Sequence, residues 1–167
     1  MCWQLFPKSA RPVPEVEAVC QVFSKYHGQF SSDSHDLDSN SVLRIVAREL
    51  KQCGFAIEEG KSAAQKIHVP VLFGENGAVL KSFYADGFHP EAGVVVEVEA
   101  GRAVDNNQWM KDLFQACMMQ DALHLVIAVR QNYRGANDYE KVKVLVDTLY
   151  SSQRLILPLK SVTILGY

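Results

Sequence analysis

Two glutamates at the end of an apolar segment are the residues whose types and spacing most directly suggest chemistry. The segment VVVEVEAG places Glu97 and Glu99 two residues apart, and because side chains alternate across a β-strand, the two carboxylates share one face. The preceding run of valines is typical of a strand buried on both sides. Unpaired buried charge is costly, and a divalent metal ion is one partner that would offset it. The alternative is a solvated strand end.

A third carboxylate falls opposite this pair if the segment forms a hairpin. A turn centred in residues 89–94 (HPEAGV) aligns Asp86 with Glu97, and directly opposed residues of an antiparallel pair have Cβ atoms about 4.5–5.5 Å apart. Carboxylate oxygens clustered in this way are ligands that suit Mg²⁺ or Mn²⁺. A bulge at Gly87 or Gly93 would shift this register.

Glu49 is a fourth candidate acid, on a segment with helical periodicity. On a wheel of about 100° per residue it lies on the apolar face of that segment, with Val42, Ile45, Val46 and Cys53. An acid in an apolar stripe requires a partner, which could be the same metal site. The alternative is a boundary position or an ion pair with a nearby cation.

The charge balance limits the size of any basic surface. The chain has 17 Lys and Arg against 19 Asp and Glu, a net charge of -2, whereas nucleic-acid-binding domains commonly carry an excess of basic residues. The segment 130–167 nevertheless holds six basic residues against three acidic ones. Its candidates for contacts with phosphate groups, which position a nucleic acid without identifying its sequence, are Arg130, Arg134, Lys141 and Lys143.

The elements that would position these residues alternate between helical and strand-like periodicity. Apolar residues recur at helical spacing over 14–27 and 40–53, which end near Gly28 and Gly54. Strands are expected at 55–57, 67–73, 79–86, 94–99, 123–129 and 162–165, with 79–86 and 94–99 forming the hairpin. Further helices are expected after a cap at Asp105 or Asn106 and over 138–150. This order predicts one α/β domain over residues 1–167, with a mixed sheet flanked by helices.

Composition and motifs exclude several classes of protein. No apolar run approaches the roughly 18 residues of a membrane span, and the first residues do not follow the pattern of a secretory leader. The four cysteines are widely spaced without a CxxC pair, which favours free thiols in a reducing cytoplasm. The phosphate-binding GxxxxGK[ST] loop and the GxSxG nucleophile elbow are both missing from the sequence, which argues against an NTPase or a serine hydrolase of that type.

The succession of a helix with Glu49, strands with Asp86 and Glu97-x-Glu99, a helix and a buried strand resembles the restriction-endonuclease-like PD-(D/E)xK nucleases. The resemblance covers roughly residues 40–130. The chain is also similar to a group of small bacterial proteins of this kind through ADGFHPEAGVVVEVEAGRA, KDLFQA and ILGY. The resemblance implies an αβββαβ core with a mixed central sheet.

The same resemblance implies roles for individual residues. Asp86 and Glu97 would bind Mg²⁺ or Mn²⁺, and a helical glutamate that often assists would be Glu49. The lysine of the family motif is Glu99 here, a substitution that some active type II restriction enzymes share, in which the residue is proposed to act on the attacking water. Lys111 or Arg102 could instead supply the missing positive charge.

These observations predict a divalent-metal-dependent endonuclease that hydrolyses nucleic-acid phosphodiester bonds, with DNA as the expected substrate. Its catalytic residues would be Asp86, Glu97, Glu99 and Glu49, and two copies of the chain could pair to cut both strands of a duplex. One alternative is an interaction or nucleic-acid-binding module that keeps the nuclease fold without catalysis. Another is hydrolysis of a different phosphate ester or nucleotide.

Overall fold

The computed structural model describes residues 1–60, 62–101, 103–104, 107–152 and 154–167. Its strands, in chain order, are β1 (Cys2–Phe6), β2 (Ala56–Ile57), β3 (Ile67–Phe73), β4 (Val79–Ala85), β5 (Gly87–His89), β6 (Val94–Glu99), β7 (His124–Val129) and β8 (Ser161–Gly166). Its α-helices are α1 (Pro14–Tyr26), α2 (Ser39–Gln52), α3 (Gln108–Met118) and α4 (Asp138–Ser152).

The first two helices begin and end at residues with known local preferences. Proline occupies the first position of α1, where its missing N–H has no helical partner to lose. The Asp38 side chain caps α2 by accepting a hydrogen bond from the Ser41 N–H at 2.7 Å, and Gly54 follows its end with φ at +92°. The helices predicted over 14–27 and 40–53 are therefore confirmed. No described helix combines the length and hydrophobicity needed to cross a bilayer.

The main sheet has six strands in the order β1-β8-β7-β6-β5-β2. Strands β6, β7 and β8 are parallel neighbours, whereas β1 and β5 run antiparallel to β8 and β6. The predicted α/β class with a mixed sheet is thus confirmed. The edge strand β1 was not anticipated, because its five residues carry no period strong enough to be recognised without the partner strand β8.

Two apolar cores cover the two faces of this sheet. One core joins α3 and α4 to the face that includes Val95 and Ile127. The other joins α1 and α2 to the opposite face, which includes Val96 and Val98. Because side chains alternate along β6, the carboxylates of Glu97 and Glu99 belong to the face covered by α3 and α4.

The predicted hairpin between 79–86 and 94–99 is wrong in its partners. Strand β4 pairs with β3 in a separate two-stranded sheet. The strand beside β6 is β5, whose three residues belong to the segment that was expected to be the connection of the hairpin. The chain bends between β4 and β5 at Asp86. Gly87 permits this close passage, because a Cβ there would lie 2.8 Å from Ile57 Cδ1. Sequence periodicity identifies strands but not which of them pair.

A candidate active site of buried carboxylates

The register of β5 and β6 brings Asp86 beside Glu97. Gly87 is paired with Val96, so the next antiparallel step places Asp86 level with Glu97. The Asp86 carboxylate is held there by the Val98 backbone, whose N–H donates to Oδ2 at 2.8 Å. The predicted alignment is therefore confirmed, although the strand involved is β5. The catalytic and metal-binding roles of these residues stay predictions.

A carboxylate from α3, Asp112, joins this group and was missed by the sequence analysis. It is only 3% exposed, and its Oδ2 is buried without a hydrogen-bond partner among the described residues. Its carboxyl interacts with that of Glu99. The sequence did contain a signal for Asp112, because it lies on the same helix face as Trp109 and Leu113, which are both buried. An acid in such an apolar stripe requires a partner.

Burial raises the pKa of every carboxyl in the cluster. Desolvation raises the pKa of Asp86 to about 6, against the hydrogen bond from Val98. It raises the pKa of Glu99 to about 8, with the negative charge of Asp112 as the next cause. The pKa of Glu97 is also well above its ordinary value, through burial and then the Asp86 charge, and burial raises that of Asp112. The group therefore favours protons or a cation.

Lys111 provides positive charge on one side of the cluster. Its Nζ lies 3.5 Å from Asp112 Oδ1, and its charge lowers the pKa of Glu97, Glu99 and Asp112 against the larger effect of burial. The suggestion that Lys111 replaces the lysine missing from the motif stays a prediction. The alternative candidate, Arg102, lies outside the described residues.

A second lysine, Lys66, influences the cluster through Asp86 and was not predicted. Lys66, at the residue before β3, forms an ion pair of 2.7 Å with buried Glu58. The Glu58 N–H donates to the Asp86 carbonyl oxygen at 2.9 Å, and the charge of Lys66 lowers the pKa of Asp86. The Glu58–Lys66 pair is therefore an electrostatic neighbour of the cluster. No motif spacing marks it, because β2 and β3 meet β5 only through the tertiary fold.

The structure does not bring Glu49 to these carboxylates. Glu49 forms an ion pair with Lys25 of α1, with both carboxylate oxygens within 2.8 Å of Nζ, and this contact lowers the pKa of Glu49. Helices α1 and α2 cover the face of the sheet opposite to Glu97 and Glu99. The prediction that Glu49 shares their site is corrected to an interhelical ion pair, which was the alternative that the helical wheel left open.

The four predicted phosphate-contacting residues separate into two pairs. Arg130 and Arg134 line one cavity of about 530 Å³ beside Ala100. Lys141 is exposed on α4, and Lys143 of the same helix forms a 2.6 Å ion pair with Glu140. Neither lysine lines the described cavity beside Ala100. Arg130 and Arg134 therefore border the strand end just beyond Glu99, through the cavity that they share with Ala100.

The residues of the cluster fit a divalent cation by their chemistry. They supply hard oxygen donors with an excess of negative charge in a buried environment, which suits Mg²⁺ or Mn²⁺. The buried Asp112 Oδ2 lacks a hydrogen-bond partner in the described part of the chain, and a cation would satisfy it. Over the same described residues, no group of three or more His, Cys, Asp or Glu is arranged as a preformed metal site.

We compared the chain with sequence profiles of protein families, with curated proteins and with solved structures. None of these comparisons gives a match.

Proposed function

We propose that the protein is a divalent-metal-dependent endonuclease with a restriction-endonuclease-like core, hydrolysing phosphodiester bonds in DNA. The observation that carries this proposal is the convergence of Asp86, Glu97, Glu99 and Asp112 with raised pKa values. Carboxylates kept together in a buried position are costly without a proton or a cation. The site lies at the carboxyl end of β6, the edge at which α/β proteins commonly bind ligands.

The environment of each residue in the site suggests its role in the proposed reaction. Asp86 and Glu97 would hold the ion, as aligned carboxylates on neighbouring strands. When bound, Mg²⁺ or Mn²⁺ would polarise the scissile phosphate and lower the pKa of a water molecule. Glu99, with a pKa of about 8, would accept the proton of that water once deprotonated. Lys111, beside Asp112, would stabilise the negative charge that develops on the phosphate.

The cysteines and the number of sites per chain suggest a compartment and an oligomeric state for this activity. Cys2, Cys20, Cys53 and Cys117 all carry free thiols, which favours the reducing cytoplasm as the compartment. A single site would cut one strand at a time, so cleavage of both strands of a duplex in one encounter would require pairing of two copies.

A binding module without catalysis is the second candidate, and one observation favours it. The pKa of Glu99 at about 8 beside Asp112 means that at pH 7 a proton can neutralise Glu99 and remove its repulsion with Asp112 without any cation. The same residue occupies the position of the lysine in the nuclease motif. In this candidate the carboxyl pair would stabilise the fold, and binding of nucleic acid would not require a metal.

Calorimetric titration with Mn²⁺ and Mg²⁺ separates the two candidates. We expect binding to the wild type and at least about a tenfold loss in Asp86→Asn, because a neutral amide replaces one ligand. Glu49→Gln is the matched control, since it also removes one carboxylate but on the opposite face of the sheet. It is expected to bind the metal as the wild type does.

Cleavage assays then test the reaction itself. With Mn²⁺ present, the wild type is expected to cut labelled DNA, and Glu99→Gln to lose at least about 100-fold in rate, since the proton acceptor is removed. RNA of the same sequence serves as the second substrate. Failure of the wild type to bind Mn²⁺, even at millimolar concentration with DNA present, would overturn the nuclease proposal and favour the binding module.

A further inference from the structure

A two-residue turn after β7 presents an arginine in an unfavourable backbone conformation. Tyr133 and Ala136 exchange two backbone hydrogen bonds, of 2.8 and 2.9 Å. Between them Arg134 has φ at +50° and Gly135 at +79°. Turns with two positive φ values strongly prefer Asn-Gly, and a long side chain at the first position is uncommon. Such outliers are concentrated at functional sites, so the identity of residue 134 calls for a role of its side chain.

The turn forms one wall of the cavity beside Ala100. Arg130, Tyr133 and Arg134 line this space of about 530 Å³ together with Ala100 and the loop before α2, a size within the range of small-ligand sites. The Tyr133 ring lies against Gly101 so closely that a Cβ there would collide with it. Gly101 is two residues beyond Glu99, so the aromatic ring and the carboxylate cluster border the same edge of the sheet.

The two guanidinium groups in the cavity differ in whether they are free to bind a ligand. The guanidinium of Arg130 is fixed by Asp36 Oδ1 at 2.6 Å and by the Leu37 carbonyl oxygen at 2.5 Å. Arg134 is exposed and makes no ion pair with any described residue. Both guanidinium groups lie near the Tyr133 ring, at 5.4 and 5.2 Å from its centroid. The cavity therefore offers an aromatic surface beside one anchored and one available cation, with Asp36 and Asp38 also in its lining.

This combination fits a nucleotide whose base has no pairing partner. Guanidinium groups bind phosphate through two parallel hydrogen bonds, and an aromatic side chain stacks on a base of any sequence. In a duplex the faces of each base are covered by its neighbours, so only an unstacked, unpaired base can reach the Tyr133 ring.

We propose that the cavity beside Ala100 is a subsite for an unpaired nucleotide of the substrate strand, with its base on Tyr133 and its phosphate at Arg134. This inference rests on the proposed nuclease function and names its substrate class as a nucleic-acid strand that is single-stranded next to the scissile phosphate. Cleavage would then be directed by the structure of the nucleic acid.

Fluorescence anisotropy in EDTA tests the subsite without requiring metal or cleavage. The probes are labelled single-stranded oligothymidylate and oligouridylate of about 12 nucleotides, and a blunt duplex of equal length. We expect a single-stranded probe to bind at least about tenfold more tightly than the duplex, and the DNA and RNA arms identify which strand is preferred. Tyr133→Leu is expected to weaken single-strand binding by about tenfold, as the loss of one stacked base does.

Two further variants test whether weaker binding is caused by misfolding of the turn or by removal of any tyrosine. Arg134→Asn places a residue that tolerates positive φ at the strained position, so it should fold at least as stably as the wild type, yet bind several-fold more weakly and with a smaller salt dependence. Tyr84→Leu removes a more exposed tyrosine from β4, outside the cavity, and should leave binding unchanged.

Equal affinity for duplex and single strand, or unchanged binding by folded Tyr133→Leu and Arg134→Asn, would overturn the subsite. Because the assay contains EDTA, its result is independent of the Mn²⁺ titration. If the wild type does not bind Mn²⁺ but its single-strand binding depends on Tyr133, the nuclease proposal fails and the subsite stands. If it binds Mn²⁺ but Tyr133→Leu binds single strands as the wild type does, only the subsite fails.

Discussion

At the scale of single residues, Glu49 and Asp112 give the same sequence signal with different outcomes. Each is an acid on the apolar face of a helix, but Glu49 pairs with Lys25 and Asp112 joins the buried carboxylates. A helical wheel shows which residues share a face of one helix. It does not show which face of the sheet that helix covers, and this choice decides which acid belongs to the site.

Glu99→Gln should change how stability depends on pH in metal-free protein. The pKa of Glu99 is raised from 4.5 to about 8, so over this interval the folded state keeps a proton that the unfolded state loses. Stability from this group is complete below pH 4.5 and is lost as the pH rises through 8. Glutamine does not titrate. We therefore expect the melting temperature of Glu99→Gln, relative to the wild type, to be at least about 4 °C higher at pH 8.5 than at pH 5.

Glu49→Gln in the same EDTA buffers is the control, because the pKa of Glu49 is lowered by its contact with Lys25. A lowered pKa gives the opposite sign, so this variant should gain nothing at the higher pH. An equal difference between Glu99→Gln and the wild type at both pH values would contradict the raised pKa of Glu99.

At the scale of elements, parallel strands bring the site and the cavity to one edge. Glu99 is level with Val129, and Val129 with Gly166, at the carboxyl ends of β6, β7 and β8. Just beyond these ends, Arg130 lines the cavity, and the Tyr167 hydroxyl donates to the Glu99 carbonyl oxygen at 3.2 Å. The strand ends therefore connect the acidic cluster to the basic and aromatic residues that follow β7.

Gly101→Ala should loosen this edge. Gly101 has φ at +98°, and an added Cβ would collide with the Tyr133 ring, so the substitution combines backbone strain with a displaced side chain. We expect a loss of about 2 kcal/mol in the free energy of unfolding, measured by chemical denaturation.

Gly77→Ala separates the two causes of that loss. Gly77 has φ at +76° but nothing within 4 Å of an added Cβ, so it should lose only the backbone part, about 1 kcal/mol. Equal losses in the two variants would mean that contact between Tyr133 and Gly101 contributes nothing to stability.

At the scale of the whole molecule, a metal ion would reverse the pH trend of the free protein. Carboxylates must lose their protons to bind a cation, and a ligand that binds only the folded state raises its stability. The chain has a net charge of -2, so its acidic groups lie close to balance with its basic ones. The raised pKa values of the buried carboxyls arise first from burial and then, for Asp86, Glu97 and Glu99, from the charges of neighbouring carboxylates.

We expect Mn²⁺ to raise the melting temperature of the wild type by about 5–10 °C at roughly 100 times its Kd. At a fixed Mn²⁺ concentration the rise should be larger at pH 8 than at pH 5.5, because at the higher pH Asp86, with a pKa of about 6, is deprotonated and Glu99, with a pKa of about 8, is partly so. Scanning calorimetry with and without EDTA measures both effects.

Asp86→Asn is the matched variant for this measurement, since its side chain keeps nearly the same size but cannot be a charged ligand. Its melting temperature should respond much less to Mn²⁺ at either pH. A response as large as that of the wild type, or a larger rise at pH 5.5, would exclude Asp86 as part of a metal site.

The sequence by itself determined most of the elements and one contact of the site. Period and local signals located α1 and α2 closely, and gave 67–73 and 94–99 as β3 and β6. The alignment of Asp86 with Glu97 also followed from the sequence, since the two residues are separated by a short turn. Such features depend on residues near one another in the chain, whose preferences are local.

Only the tertiary structure decided which distant elements meet. It separated β3 and β4 from the main sheet, moved Glu49 away from the carboxylates, and added Asp112, Lys66 and the cavity wall around Tyr133. These contacts join segments far apart in sequence, and they are fixed by which strands pair and which helix covers each face. Apolar periodicity is equally satisfied by several such arrangements, so the choice belongs to the packing of the whole chain.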